Sequence, residues 1–297
     1  SSARRNAGVR QYGPGEEVRM AVVLITGCSS GLGLSTALAF ARRGDQVFAT
    51  MRSARRADAL QAAAVTSGVS VEVVELDVTD DESVRHGVSQ VLASAGQIDV
   101  LVNNAGVGHY GTVELMPWEW LRATFETNFF GAVRMIRAVL PSMREHESGT
   151  IVNVSSANGR MRGLGFASMY GASKHALGTM SEALAMEVDP FKIKVVVIEP
   201  GAFRSKIVDN AGVELDPNSP YATLEAAEYA AGKAGDAPAE DPTVVAAAIV
   251  KAATTPGPLH VLVGDDAELW VAAAESSTFE QWVARVRRVR LFTSRIR

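Results

Sequence analysis

Cysteine is all but missing: one residue, Cys28, in a chain of 297. That excludes a disulfide framework and any cysteine-rich metal site. No apolar run approaches the roughly 20 residues of a membrane span. Met20-Ala-Val-Val-Leu-Ile25 is also too short for a signal-peptide core and reads as a first strand. A soluble, cytoplasmic protein is the expectation. A basic excess is lacking too, since 29 Lys and Arg face 33 Asp and Glu for a net charge of −4. No electrostatic footprint for nucleic acid follows. There is no internal repeat, and the only low-complexity tract is the Ala/Pro/Gly/Glu-rich stretch near 222–242.

What is present suits one large α/β domain. Hydrophobic residues make up 47% of the chain, enough for a sizeable core. Apolar runs at 21–26, 46–51, 71–76, 98–103, 150–155, 193–198 and 259–263 are strand candidates. Helical spacing fills 33–43, 55–65, 80–95, 117–146, 168–188 and 243–254. This alternation predicts a doubly wound, Rossmann-type parallel sheet of about seven strands with helices on both faces. Thr79-Asp-Asp-Glu82 reads as a capping box, which gives its acids a structural role. Residues 1–19 lack periodicity and read as a mobile arm or non-native remnant, with Met20 as a natural start. The domain is expected over 20–265 and a helical extension over 266–297. In that extension, positions 279, 282, 283, 286 and 289 are apolar at helical spacing, and the opposite face is rich in arginine. A helix docked on the domain or on a partner subunit fits better than a membrane-surface helix.

Directly after the first apolar run stands Thr26-Gly-Cys-Ser-Ser-Gly31-Leu-Gly33, followed by a helical pattern. Strand, glycine turn, helix is the context a dinucleotide fingerprint needs. Glycines permit a tight turn, and a helix N-terminus offers free N–H groups to a pyrophosphate. Cys28 lies inside this turn, where a small buried thiol is expected rather than a reactive one. At the end of the second strand an acid would suit the ribose hydroxyl of NAD, and an arginine the 2′-phosphate of NADP. Met51 takes the acid's place and Arg52 follows, with Arg55 and Arg56 nearby and Ser29 able to add a hydrogen bond. This predicts NADP(H).

Tyr170-Gly-Ala-Ser-Lys174 puts a phenol and an ammonium on one helix face. A lysine there is expected to lower the phenol pKa so that the tyrosine can exchange a proton with a substrate oxygen. With the variant glycine spacing, Asn103-Asn-Ala-Gly106, Thr-Asn128-Phe-Phe-Gly131, Ile151-Val-Asn-Val-Ser-Ser156 and Pro200-Gly201, the chain resembles the short-chain dehydrogenase/reductase family over about 20–265. Thr26–Gly31 and Val47-Phe-Ala-Thr-Met-Arg52 resemble its 17β-hydroxysteroid and retinol dehydrogenase branch and bacterial relatives.

The resemblance implies a set of roles. Tyr170 is the proton donor. Lys174 tunes it and holds the nicotinamide ribose, Ser156 binds the substrate oxygen, and Asn128 anchors a water leading from Lys174. Gly27, Ser29, Ser30, Gly31, Leu32 and Gly33 cradle the cofactor, with Arg52 at its phosphate and Asp77 beside Val78 at its adenine. Asn103, Asn104, Ala105 and Gly106 wall its cleft. Pro200, Gly201, Phe203 and Ser205 meet the nicotinamide, Ser205 standing where the family often has threonine. Ser156 and Tyr170 are fourteen positions apart, one more than is usual. The glycines of Asn158–Gly165 are expected to absorb the extra residue, with Ser155 as the poorer alternative to Ser156.

The substrate side is less defined. Val107 to Tyr110, Met161 to Phe166, Ala202, Phe203 and the proline- and glycine-bearing segment 206–240, read as a lid, are expected to line an apolar pocket. His109 is open to a substrate or a rim role, and Arg160, Arg162 and Arg204 to a substrate or a solvated one. A hydrophobic ketone, aldehyde or secondary alcohol is the expected substrate, and a homodimer or homotetramer the expected assembly. A catalytically idle NADP-binding sensor or scaffold, and an epimerase or dehydratase on the same fold, are the alternatives.

Overall fold

The computed structural model describes residues 10–11, 17–18, 20–203, 216–233 and 241–295. Seven strands fall on the seven apolar runs: β1 (Val22–Ile25), β2 (Gln46–Met51), β3 (Glu72–Glu75), β4 (Val100–Asn103), β5 (Gly149–Val154), β6 (Ile193–Pro200) and β7 (His260–Val263). They form one sheet in the order β3-β2-β1-β4-β5-β6-β7, every neighbouring pair parallel. Parallel neighbours require crossover connections, so helices cover both faces and the strands are apolar on both sides.

One layer contains α1 (Gly31–Arg43), α2 (Asp58–Thr66) and, later in the chain, Pro242–Thr254. The other contains α3 (Asp81–Ala95), α4 (Trp118–Phe125), α5 (Gly131–Glu145) and α6 (Ser168–Val188). Val23 and Ile25 of β1 pack with Phe40, Leu60 and Val245 of the first layer. Val22 and Leu24 pack with Val88, Met135, Val139 and Leu184 of the second. The order of strands reverses between β1 and β4, and ligands of such sheets bind in the crevice at that switch point.

Four details differ from the reading above. The helix expected over 117–146 is two helices, α4 and α5, joined by a π-turn, Glu126–Phe130, which carries Asn128. The wider turn is a local change of pitch of the kind that often marks functional sites. Thr79 is not a cap. The N-cap of α3 is Asp80, whose Oδ1 accepts the Ser83 N–H at 2.6 Å, while Thr79 turns back to Asp77 and Glu82 pairs with Arg85 at 3.6 Å. Asp80 has extended backbone angles and stands one residue later than the N-cap of a capping box over 79–82.

The low-complexity tract contains a helix, α7 (Ala222–Lys233), because alanine and glutamate favour helix. Residues 206–215 and 234–240 of the proposed lid lie outside the described residues. After α8 (Pro242–Thr254) and β7, a helix that the periodicity did not single out, α9 (Asp265–Glu275), precedes α10 (Phe279–Arg295). Buried Trp282 of α10 packs with Val271 and Ala274 of α9 and with Ala157 and Met161 of the domain. Near the N-terminus Arg10–Gln11 pairs antiparallel with Glu17–Val18. Among the described residues no helix is long and apolar enough to cross a membrane, and no cluster of ligating side chains could hold a metal ion.

Candidate active site

The crevice begins where β1 ends. Thr26 Oγ1 accepts the backbone N–H of both Asn104 and Ala105 at 3.0 Å, and Asn104 Nδ2 donates to Thr26 O at 2.9 Å and Gly27 O at 3.2 Å. These bonds staple the glycine turn to the end of β4. Gly33 has no room for a side chain, since a Cβ would stand 2.6 Å from Asn104 Nδ2 and against Gly27 O. The N-terminus of α1 is left open, for Ser30 makes no side-chain cap and the first turn carries no acid. Unsatisfied N–H groups there, with Ser29 and Leu32 partly exposed beside them, suit a pyrophosphate. Cys28 is buried, its Sγ donating to Ile25 O, and burial pushes the thiol pKa up, which makes it inert.

Met51 ends β2 and is buried in the core, whereas Arg52, Arg55 and Arg56 are exposed just beyond it. Asp77 Oδ1 accepts both the N–H and the hydroxyl of Thr79, at 2.9 and 2.8 Å, and Val78 is buried against Gly131. The residues present therefore fit a dinucleotide: a glycine cradle, an uncapped helix and exposed cations at the second strand's end.

The side chains at the other end of the crevice are largely buried. Ser156, just past β5, accepts the Asn158 N–H at 3.2 Å and faces the Tyr170 phenol. Ser155 is buried against the α6 backbone instead and donates to Lys174 O at 3.2 Å. Lys174 is 3% exposed, its Nζ donating to Val154 O at 2.9 Å and lying 5.9 Å from the centre of the Tyr170 ring. Burial lowers its pKa to about 8. Burial also holds the Tyr170 phenol above its usual range, and Ser156 draws it back. The expected lowering of the phenol by the lysine is thus opposed by a desolvation effect that the sequence does not display.

Asn128 is buried, with its Oδ1 accepting the Val107 N–H at 2.8 Å and its Nδ2 donating to Val107 O and Ser173 Oγ. A single point beside Gly106 lies 3.3 Å from Asn128 Oδ1 and 3.8 Å from Lys174 Nζ, so the two groups meet at that glycine. Tyr110 stacks obliquely on Tyr170 with ring centres 5.9 Å apart, and burial raises its pKa.

Several candidates lie elsewhere. Asn103 does not wall the crevice, because its amide is buried in the sheet and donates to Asn153 Oδ1 at 2.8 Å. His109 stacks on Trp120 and shares a hydrogen bond with Thr124 Oγ1, facing α4. Arg160 and Arg162 are both tied to the C-terminal helices, Arg160 half-buried and Arg162 exposed. Arg160 pairs with Glu275 at 2.6 Å and buried Glu199 at 3.3 Å, and Arg162 donates to the carbonyls of Ala274 and Ser277. Trp282 Nε1 donates to Gly163 O at 3.1 Å, so the serine-to-tyrosine loop is tied to the C-terminal helices at three points. Met161 and Phe166 are buried in that loop, and Phe166 has a left-handed φ of 67°, a strained position for a non-glycine residue. Pro200 ends β6 and Gly201 follows it, with Phe203 close behind, while Arg204 and Ser205 lie outside the described residues.

Sequence reasoning missed Glu199, which accepts from His260 Nδ1 at 3.0 Å, and Asp266, which accepts the Ala202 N–H at 2.7 Å. The only signal for either is an acid at or just after a strand's carboxyl end.

Comparison with known proteins agrees with this geometry. The short chain dehydrogenase family profile matches residues 21–215. The chain is 41% identical over 192 residues to a 3-ketodihydrosphingosine reductase of Bacteroides thetaiotaomicron, covering 65% of this chain and 67% of that protein. It is 41% identical over 210 residues to retinol dehydrogenase 8 of Bos taurus, covering 68% and 66%. The match thus spans about two thirds of those relatives' lengths. A short-chain dehydrogenase structure from Streptomyces avermitilis superposes with a TM-score of 0.77 at 37% identity, covering 91% of this chain and 98% of that one. A metagenomic short-chain oxidoreductase in complex with NADP gives 0.65 at 25% identity, covering 82% and 96%. An NAD+-bound xylitol dehydrogenase gives 0.69 at 25%, covering 82% and 98%. The chain belongs to the short-chain dehydrogenase family of oxidoreductases.

Proposed function

We propose that this chain is an NADP(H)-dependent oxidoreductase acting on a hydrophobic ketone or aldehyde, or on a secondary alcohol in reverse, with Tyr170 as general acid and base. The observation that carries the reading is half-buried Ser156 beside the buried Tyr170 and Lys174, at one end of a crevice whose other end is an uncapped helix N-terminus. A bound nicotinamide supplies the hydride, or accepts it in the oxidative direction. The protein's own task is to orient the carbonyl and provide a proton. Ser156 holds the substrate oxygen, in the manner of an oxyanion donor. Tyr170, kept protonated by burial, gives its proton to that oxygen as charge develops there. Lys174 is the nearby cation, held by Val154 O within reach of the phenol and of a ribose. Asn128 fixes the Gly106–Val107 turn, and its role is to anchor a water leading from Lys174.

Toward the cofactor, Gly27 to Gly33 receive the pyrophosphate, Asp77 and Val78 flank the adenine, and Arg52 with Ser29 grips a 2′-phosphate. Buried Met51 offers no competing carboxylate. The apolar side chains of Tyr110, Met161, Phe166 and Phe203 suit a hydrophobic substrate. Incubation with NADPH and a panel of ketones and aldehydes, followed by the loss of the reduced nicotinamide's absorbance, tests the reading. Oxidation of NADPH with formation of the alcohol supports it. Product formed without net loss of NADPH points instead to an epimerase or dehydratase, and binding without any turnover to a sensor.

A further inference from the structure

We infer that Asp266 is a positioning residue, whose carboxylate fixes the Pro200–Gly201–Ala202 turn at the proposed nicotinamide end of the crevice. This rests on the cofactor reading above, and it concerns a residue from outside every motif that carries that reading.

The need arises where two strands stop together. Pro200 of β6 pairs in register with Val263 of β7, and the Gly201 N–H still reaches Val263 O at 3.0 Å. Beyond that bond the ladder ends, and the next amide, that of Ala202, has no strand partner. Asp266 Oδ2 accepts it at 2.7 Å, the length of a charge-assisted hydrogen bond.

Space around the carboxylate shows that it is seated rather than loosely placed. A Cβ on Gly201 would lie 2.5 Å from both Cγ and Oδ2 of Asp266. One on Gly264 would lie 2.7 Å from its Oδ1. Two glycines from two strand ends thus leave a slot that the carboxylate fills. Gly264 has a left-handed φ of 103°, which turns the chain so that Asp265 and Asp266 open α9. The Phe203 ring, one residue past the held amide, closes on the same glycine, 3.4 Å from where its Cβ would be.

The helix that Asp266 opens is itself anchored at its far end. Glu275 and the carbonyls of Ala274 and Ser277 hold Arg160 and Arg162 of the loop between Ser156 and Tyr170. One helix therefore braces both walls of the crevice, the Pro-Gly turn from its first turn and the serine-to-tyrosine loop from its last.

An acid in the first turn of a helix can also be present for the macrodipole alone, in which case charge matters and shape does not. Three substitutions separate the cases. Asp266→Asn keeps an acceptor oxygen and the side-chain length. Asp266→Ala removes the acceptor. Asp266→Glu keeps the charge but is too long for the slot. If Asp266 positions the turn, Asp266→Asn, which keeps a neutral acceptor, should bind NADPH within about tenfold of wild type and better than Asp266→Ala. Asp266→Ala should lose about tenfold to a hundredfold in affinity, the range for a hydrogen bond to a charged group. Asp266→Glu should do no better than Asp266→Ala. A glutamate variant like wild type beside a failing asparagine variant would overturn the inference in favour of charge.

Gly201→Ala supplies an independent arm. Its methyl collides with the carboxylate, so the single variant should weaken NADPH binding. In the Asp266→Ala background the methyl has room, and the double variant should bind no worse than Asp266→Ala alone. Additive losses overturn the inference. Amide hydrogen exchange at Ala202, read on the protein without cofactor, makes the test independent of the functional reading. Exchange should quicken in the Ala and Glu variants and hold in the Asn variant. Quickened exchange with unchanged NADPH affinity, or lost affinity with unchanged exchange, contradicts the positioning role. If wild type binds neither NADPH nor NADH, the functional reading fails and the exchange rates still report on the turn. Should Asp266→Ala not fold, Asp266→Glu and Gly201→Ala carry the same comparison.

Discussion

The two ends of the crevice are built on opposite principles. At the ends of β1 and β2 the groups are open: α1 starts without a cap, Arg52, Arg55 and Arg56 are exposed, and glycines leave the backbone bare. At the end of β5 the groups are shut in. Tyr170, Lys174, Asn128 and Ser155 are all less than 9% exposed, and protein atoms hold the lysine, the asparagine and both serines in place. The start of α3, a few residues past β3, sharpens the contrast with α1, for there Asp80 caps the helix and Asp81 and Glu82 occupy its first turn. An open helix start is an anion site in waiting, and a capped one is finished structure. Substitutions at the open end should therefore change which cofactor binds, at little cost in stability. Those at the closed end should change the rate.

The largest effect expected on this account, apart from loss of the tyrosine itself, is at Ser156. Ser156→Ala should lower turnover roughly 10²–10³-fold, as for removal of one oxyanion donor. Ser155→Ala should affect thermal stability more than rate, since its hydroxyl bonds Lys174 O beneath the helix. Steady-state kinetics beside melting curves checks this, and the reverse ranking would show that Ser155 faces the substrate. At the open end, wild type should prefer NADP(H) to NAD(H) by about tenfold to a hundredfold, from one charge-assisted contact at Arg52. Met51→Asp with Arg52→Ala should invert that ratio in titrations with both cofactors. Equal affinity of wild type for the two would mean that Arg52 does not meet the ribose.

A pH profile gives a smaller signal. Lys174 carries a pKa lowered by burial to about 8, so it is charged below that pH and neutral above it. The reductive rate should fall as pH rises through about 8, and a rate that rises there would contradict the proposed role of the cation. The same shift makes burial of Lys174 less costly at higher pH, so its contribution to folding stability improves above about 8 rather than below it. Smallest of all, Asp80→Ala should cost about 1 kcal/mol of stability with no change in cofactor affinity. A change in affinity would break the distinction between the two helix starts.

What could be read from the sequence follows the same division. The sheet was legible because parallel strands are apolar on both faces, and each run stands out between helical patterns. The glycine turn was legible because its requirements are local, a few backbone positions that only glycine satisfies. The shut end was legible only in part. Tyr170 and Lys174 share a helix face whatever surrounds them, yet the desolvation that raises one pKa and lowers the other depends on packing from distant segments. Nothing local shows that Arg160 would meet Glu199 and Glu275, or that Trp282 would reach Gly163 O from the far end of the chain. Thr79 illustrates a limit of another kind: two adjacent residues, Thr79 and Asp80, were both good caps, and a one-residue shift in where the helix starts decided between them.

The central claim is that the buried phenol of Tyr170 gives the proton while the open end of the crevice holds the cofactor. NADPH binding and NADPH oxidation, measured on the same preparations of wild type and Tyr170→Phe with a carbonyl substrate that wild type reduces, test it most directly. The account predicts nearly unchanged affinity for NADPH and loss of turnover in the variant. Turnover like that of wild type in Tyr170→Phe would contradict it.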